Sequence, residues 1–150
     1  MTTIDPKKWF DRMQPQPLQI ATWLLYLNGF FALMSIFDET GYLGYIRFRF
    51  GVGLLVDLAV VAFHVLGGLL MANDRKLGYR LAVVAAFSPF ALRSLAMADL
   101  RTHFDLSISL VDFLVGRPLG GGFVTVVFDV ALVALLLHRQ SRDHQRIWYH

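Results

Sequence analysis

The sequence predicts an all-α integral membrane protein, a four-helix bundle of two tandem helical hairpins with both termini cytoplasmic. Three observations predict it. Hydrophobic residues make up 56% of the 150 positions and charged residues only 17%, with a mean hydropathy of +0.53. A soluble domain of this size needs far more polar surface. The charges gather between long apolar runs, each near the roughly 20 residues that cross a bilayer. Finally, segments of the first pair of runs recur in the second pair.

Residues 1–17 form an N-terminal cytoplasmic or interfacial segment. Lys7, Lys8 and Arg12 alternate with Trp9, Phe10 and Met13, which predicts a short helix lying at the membrane surface. Pro15 and Pro17 break the chain before the first span, about 18–37. That run is longer than a signal-peptide core and lacks a following cleavage pattern, so it is expected to be retained. Asn28 and Gly29 lie near its middle. A short outer loop follows, with Tyr42, Tyr45 and Phe48 suited to an interfacial aromatic belt.

The second span, about 50–71, is FGVGLLVDLAVVAFHVLGGLLM and holds Asp57 and His64. A tight turn, Asn73-Asp74-Arg75-Lys76, leads into the third span, about 77–98, which contains Pro89 and Arg93. Proline removes one backbone hydrogen bond, and a kink is expected there. The next connection carries FDLSISLVDFLV, 104–115, read as a short interfacial helix with Asp105, Ser109 and Asp112 on one face. Its first half also alternates like a strand. The fourth span, about 121–137, follows Gly120-Gly121-Gly122, and 138–150 is a basic tail. Together 18–137 make up the spanning domain.

Basic residues set the orientation. Lys7, Lys8, Arg12, Arg75, Lys76, Arg80, Arg139, Arg142 and Arg146 flank one side; Arg47, Arg49, Arg101 and Arg117 lie on the other. The positive-inside rule then places both termini in the cytoplasm, in a plasma or inner membrane. The net charge of +3 reflects this asymmetry and not a nucleic-acid surface, so no nucleic-acid partner is expected.

The repeat pairs LLVDLAVVA (54–62) with VVFDVALVA (126–134), and FALMSI (31–36) with FALRSL (90–95). Both matches fall in the same order, and one includes the rare aspartate. They describe two parallel hairpins, an arrangement that suits some transporters and equally a plain bundle.

Charged groups inside apolar runs are costly and are the first candidates for a site. At 1.5 Å per residue, Asp57, Asp129 and Arg93 lie roughly 10, 12 and 8 Å below the outer edge of their spans. Asp57, Arg93, Asp129 and His64 are therefore the candidate intramembrane polar cluster. One arginine facing two aspartates can form charge-assisted hydrogen bonds, either to fix helix register or to line a polar pocket. Arg93 can instead snorkel to the interface. His64 falls two turns below Asp57 on a stripe with Gly53 and Gly67 or Gly68, facing into the bundle. It is expected to bond a neighbouring helix, with a proton relay to Asp57 as the alternative.

Other chemistry is absent from the sequence. There is no cysteine, which excludes disulfides and thiolate chemistry. The triple glycine lacks the Lys-Ser/Thr of a phosphate loop, and no zinc-protease or nucleophile-elbow motif occurs. No second histidine matches His64 in depth as a haem ligand. No cofactor or metal is expected, and a non-enzymatic role is favoured over an enzymatic one. The expected function is a non-catalytic accessory or scaffold subunit of a larger membrane complex. The alternatives are an oligomeric transporter or channel component using the Asp/Arg/His layer, and a lipid- or quinone-linked membrane enzyme. Expected partners are the lipid bilayer and other membrane subunits, or further copies of the chain.

Overall fold

The chain folds almost wholly into helices, and no strand occurs among the described residues. The structure is a computed structural model describing residues 4–39, 41–104, 107, 109, 110–119 and 122–149. The helices are α1 (Gln16–Asp38), α2 (Gly41–Arg49), α3 (Gly53–Ala72), α4 (Lys76–Phe104), α5 (Leu110–Val115), α6 (Phe123–Leu137) and α7 (Arg139–Trp148). A single turn of 3-10 helix, Arg117–Leu119, joins α5 toward α6.

Helices α1, α3 and α4 are long and apolar enough to cross a membrane. Only 28%, 33% and 39% of their most apolar windows is buried inside the protein, so most of that apolar surface points outward. Such a surface is far larger than soluble monomers expose, and lipid is the solvent that suits it. Helix α6 has 15 residues and passes the same test only together with α7, from which it is bent by 49°.

Local chemistry sets the ends. Pro15 and Pro17 frame the start of α1, where a missing N–H costs no helical bond. At the end of α3, Asp74 takes a left-handed φ of 56° and the Arg75 N–H reaches back to the Leu70 carbonyl at 3.0 Å. Helix α5 is capped at both ends. The Ser109 hydroxyl accepts the Asp112 N–H at 3.1 Å, and Gly116 closes the helix at a φ of 69°.

Helix α3 is the centre of the packing. It lies against α1 on one side and α4 on the other, and α6 packs across α1 and α4. Its buried stripe is Gly53, Asp57, Val60, His64, Gly67, Gly68, Met71 and Ala72, at helical spacing. The facing stripe of α4 is built from small residues, including Ala82, Ala85 and Ala86. A Cβ on Gly67 would lie 2.9 Å from the Ala82 nitrogen, so the two backbones touch there.

Three expectations are corrected. The N-terminal segment forms turns, not a helix, because Asp5 and Asp11 accept the N–H groups of Lys7 and Met13, both at 2.9 Å. The first outer connection is not a loop but α2, which buries Leu43 and Ile46 against the long helices. The short helix expected over 104–115 spans only Leu110–Val115, because α4 continues to Phe104. Residues 105, 106 and 108 lie outside the described residues, and with them the Asp105 part of the expected polar face. The basic tail forms α7, whose start is capped by His138 Nδ1 accepting the Gln140 N–H at 3.3 Å.

Candidate functional site, a polar cavity between the helices

Arg93 is the anchor of the site. It sits on the buried stripe of α4, and only 4% of it is exposed. Its Nη2 donates to Asp129 Oδ2 on α6 at 2.9 Å, a charge-assisted bond between two enclosed side chains. The guanidinium carbon lies 5.4 Å from the centre of the Tyr42 ring, within cation–π range. Gly116 covers the arginine stem. A Cβ there would come 2.8 Å from Arg93 Cδ, so the left-handed glycine that ends α5 also lets the chain close over the site. The arginine Nε is buried and has no acceptor among the described residues.

Asp57 is placed apart from this pair. Its residue is 0% exposed, and both carboxylate oxygens are without a hydrogen-bond partner among the described residues. The charge acting on it is Arg47 of α2, whose Nη1 donates to the Ile36 carbonyl at 2.9 Å. Arg93 thus takes one of the two candidate aspartates, and the repeat positions Asp57 and Asp129 have different surroundings.

His64 bonds within its own helix. Its Nδ1 lies 2.8 Å from the Val60 carbonyl. A carbonyl can only accept, so Nδ1 carries the proton and Nε2 presents a lone pair. That Nε2 is buried without a partner among the described residues. Helix α1 crosses closely over this ring, since a Cβ on Gly29 would lie 3.0 Å from His64 Cβ. The bond expected to a neighbouring helix is made instead to the preceding turn of α3, whose carbonyl at i−4 is within reach of any histidine in this rotamer.

These groups surround a cavity of about 410 Å³. Asn28, Ser35, Tyr42, His64, Arg93, Thr125 and Asp129 supply its polar wall. Phe31, Leu43, Val60, Pro89, Val124 and Phe128 supply much of its apolar wall. Asp57 does not line it. Asn28 Nδ2 is a second buried donor without a partner among the described residues. Asn28 and Tyr42 stand out in the sequence as a polar residue inside an apolar run and an aromatic in a connection. Only the crossing of α1 over α3 and the folding of α2 bring them to Arg93. Among the described residues, no group of three or more His, Cys, Asp or Glu side chains is placed to hold a metal ion.

Fold and site together define a helical protein with membrane-length apolar helices and a half-open cavity between them, largely apolar but with a polar wall around Arg93. No family model, curated protein or solved structure matches the chain.

Proposed function

We propose that the chain is a non-catalytic accessory or scaffold subunit of a larger membrane complex. It is a bundle of four spans in the plasma membrane with both termini in the cytoplasm. The observation that carries this reading is the use of polar groups to tie helices together. Arg93 and Asp129 join α4 to α6 in the interior at 2.9 Å. At one end, Gln14 donates to the Met71 carbonyl at 2.7 Å and Tyr79 to the Leu136 carbonyl at 2.7 Å. At the other end, Asp99 accepts from Tyr45 at 2.6 Å and Arg49 at 3.0 Å. A scaffold needs such fixed geometry, whereas a rocking transporter must undo it in each cycle.

The four-span reading rests on α6 with the first part of α7. At 1.5 Å per residue α6 alone reaches roughly 22 Å, short of a core of about 30 Å, and the next residues or local thinning make up the difference. The duplication gains support from the connections. FALMSI and FALRSL lie in α1 and α4, the two aspartate segments lie in α3 and α6, and each hairpin connection carries a short helix.

The test is affinity purification of the tagged full chain in mild detergent from membranes of the organism that makes it. A protein recovered at fixed stoichiometry from independent preparations is expected. Repeated recovery of the chain alone would sink the subunit reading. Because the chain has no cysteine, single cysteines at Met13 and Ile147 read the topology. Both are expected to react with an impermeant maleimide only after the membrane is opened. A second reading, an oligomeric transport component, is favoured by the cavity itself. It requires that Asp129→Asn keep assembly while abolishing a substrate-dependent signal.

A further inference from the structure

We infer that the cavity binds the uncharged, hydroxyl-bearing head of a membrane amphiphile, which enters sideways between α1 and α6. The first argument is size and lining. A volume of about 410 Å³ with largely apolar walls is that of a small-molecule site. Water alone would leave Phe31, Val60 and Phe128 wet.

The second argument is charge. Arg93 is neutralised by Asp129, and His64 holds its proton on Nδ1 against the Val60 carbonyl. The site has no net charge to offer, and a charged head would be desolvated there without a counter-ion.

The third argument is hydrogen-bond chemistry. Three buried atoms of the lining residues have no partner among the described residues: Arg93 Nε, a donor, and, on adjoining helices, the pair His64 Nε2, which accepts, and Asn28 Nδ2, which donates. Their helices touch beside them, where Gly29 packs on His64. A hydroxyl satisfies both, donating to the imidazole and accepting from the amide. A carboxylate has no donor, and an ammonium has no acceptor.

The fourth argument is the route. Phe31, Val124 and Phe128 line the cavity and are also exposed, at 57%, 66% and 39%. They lie on α1 and α6, so the mouth is on the outward apolar surface, where lipid is the surrounding medium. The occupant therefore comes from the bilayer.

The test uses the full chain in lipid nanodiscs and three photoreactive twelve-carbon probes that differ only in the head: alcohol, carboxylate and ammonium. The alcohol is expected to label peptides containing Phe31, Val124 or Phe128 about fivefold more than the other two, the value of one net hydrogen bond. Unlabelled dodecanol should remove that excess. Labelling around Trp23, on the lipid-facing side of α1, serves as the internal reference. Asn28→Leu and His64→Phe should each reduce alcohol labelling to the level of the carboxylate. Equal labelling by the three heads overturns the inference, as does labelling that dodecanol does not compete. The comparison of heads on the native chain decides even if a variant fails to fold.

Discussion

At the scale of single residues, the decisive contrast is between two aspartates at repeat-related positions. Asp129 shares a bond with Arg93; Asp57 has neither oxygen partnered among the described residues. Breaking a buried ion pair from one side leaves a charge enclosed without compensation, at about 3–5 kcal/mol. Arg93→Met is therefore expected to lower the thermal unfolding temperature in detergent sharply, followed by circular dichroism. Replacing both partners, Arg93→Met with Asp129→Leu, should recover most of the loss, because apolar groups of similar volume fill the same space. A double variant as unstable as the single one would mean that Arg93 matters through Tyr42 and Gly116 and not through the pair. Asp57 should behave in the opposite way. An unsatisfied buried polar group costs about 1–3 kcal/mol, and Asp57→Leu removes it from a stripe that is otherwise apolar, small or imidazole. The unfolding temperature is expected to hold or rise. A fall comparable to that of Arg93→Met would show that Asp57 carries a tie of its own in the folded protein. The four charged or titratable residues were visible in the sequence because each interrupts an apolar run at a cost. The choice of Asp129 over Asp57 was not, since it depends on how far each helix is rotated about its axis.

At the scale of elements, long apolar periodicity announces α1, α3 and α4, and it bounds them to within about three residues except at the end of α4, which runs on past 98 to Phe104. Helix α2 is hidden because GYLGYIRFR has glycines, two arginines and a polar rim. Its helical form follows from burying Leu43 and Ile46 on its neighbours, a tertiary contribution that no local pattern carries. Helix α7 is hidden for a different reason. It is polar almost all round, and it is held by the His138 cap and by Ser141 Oγ donating to the Leu135 carbonyl at 2.7 Å across the bend. The cavity residues Asn28 and Tyr42 belong to this same class, since a cavity is a property of crossings and not of any one run. The α3–α4 crossing makes its own prediction. The space over Gly67 is filled by the backbone of Ala82, which cannot rotate aside as a side chain can. Gly67→Leu must push the helices apart, with a cost of about 1–3 kcal/mol for overpacking. It should depress the unfolding temperature while Leu66→Ala, an outward neighbour that is 46% exposed, leaves it nearly unchanged. Equal effects at both positions would remove the close crossing from the account.

At the scale of the whole molecule, the N-terminal segment works as a strap across the α3–α4 turn. Asn73 binds it from both sides, its Oδ1 accepting the Asp5 N–H at 2.9 Å and its Nδ2 donating to the Asp5 and Lys8 carbonyls at 3.2 Å. Tyr26 donates to the Trp9 carbonyl at 2.9 Å and ties the strap to α1. Its charged tie is Lys8, 2.6 Å from Asp11 and 3.4 Å from Asp74. Burial works to raise the Asp11 carboxyl, but the Lys8 bond and the Met13 N–H outweigh it and hold it below the usual carboxylate range. Burial works to lower the Lys8 ammonium, and its bonds and the charges of Asp11 and Asp74 hold it above the usual value. The signs then fix the pH window. A carboxyl lowered on folding stabilises the strap above its unfolded pKa of about 3.9, and this is lost as pH falls through the lower folded value. An ammonium raised on folding stabilises it below about 10.4, and this is lost as pH climbs through the higher folded value. The Lys8–Asp11 pair that shapes the strap is thus complete between about pH 4 and about pH 10, while the neutral bonds of Asn73 and Gln14 persist outside that range. Acid should loosen the strap without detaching it. Spin labels on Met13→Cys and Leu77→Cys, two exposed sites in a chain without cysteine, report this as a distance distribution. The distribution should be narrow near neutral pH and broaden at about pH 3, and Lys8→Gln should give the broad form already at neutral pH. A distribution indifferent to both changes would assign the strap to its neutral hydrogen bonds alone.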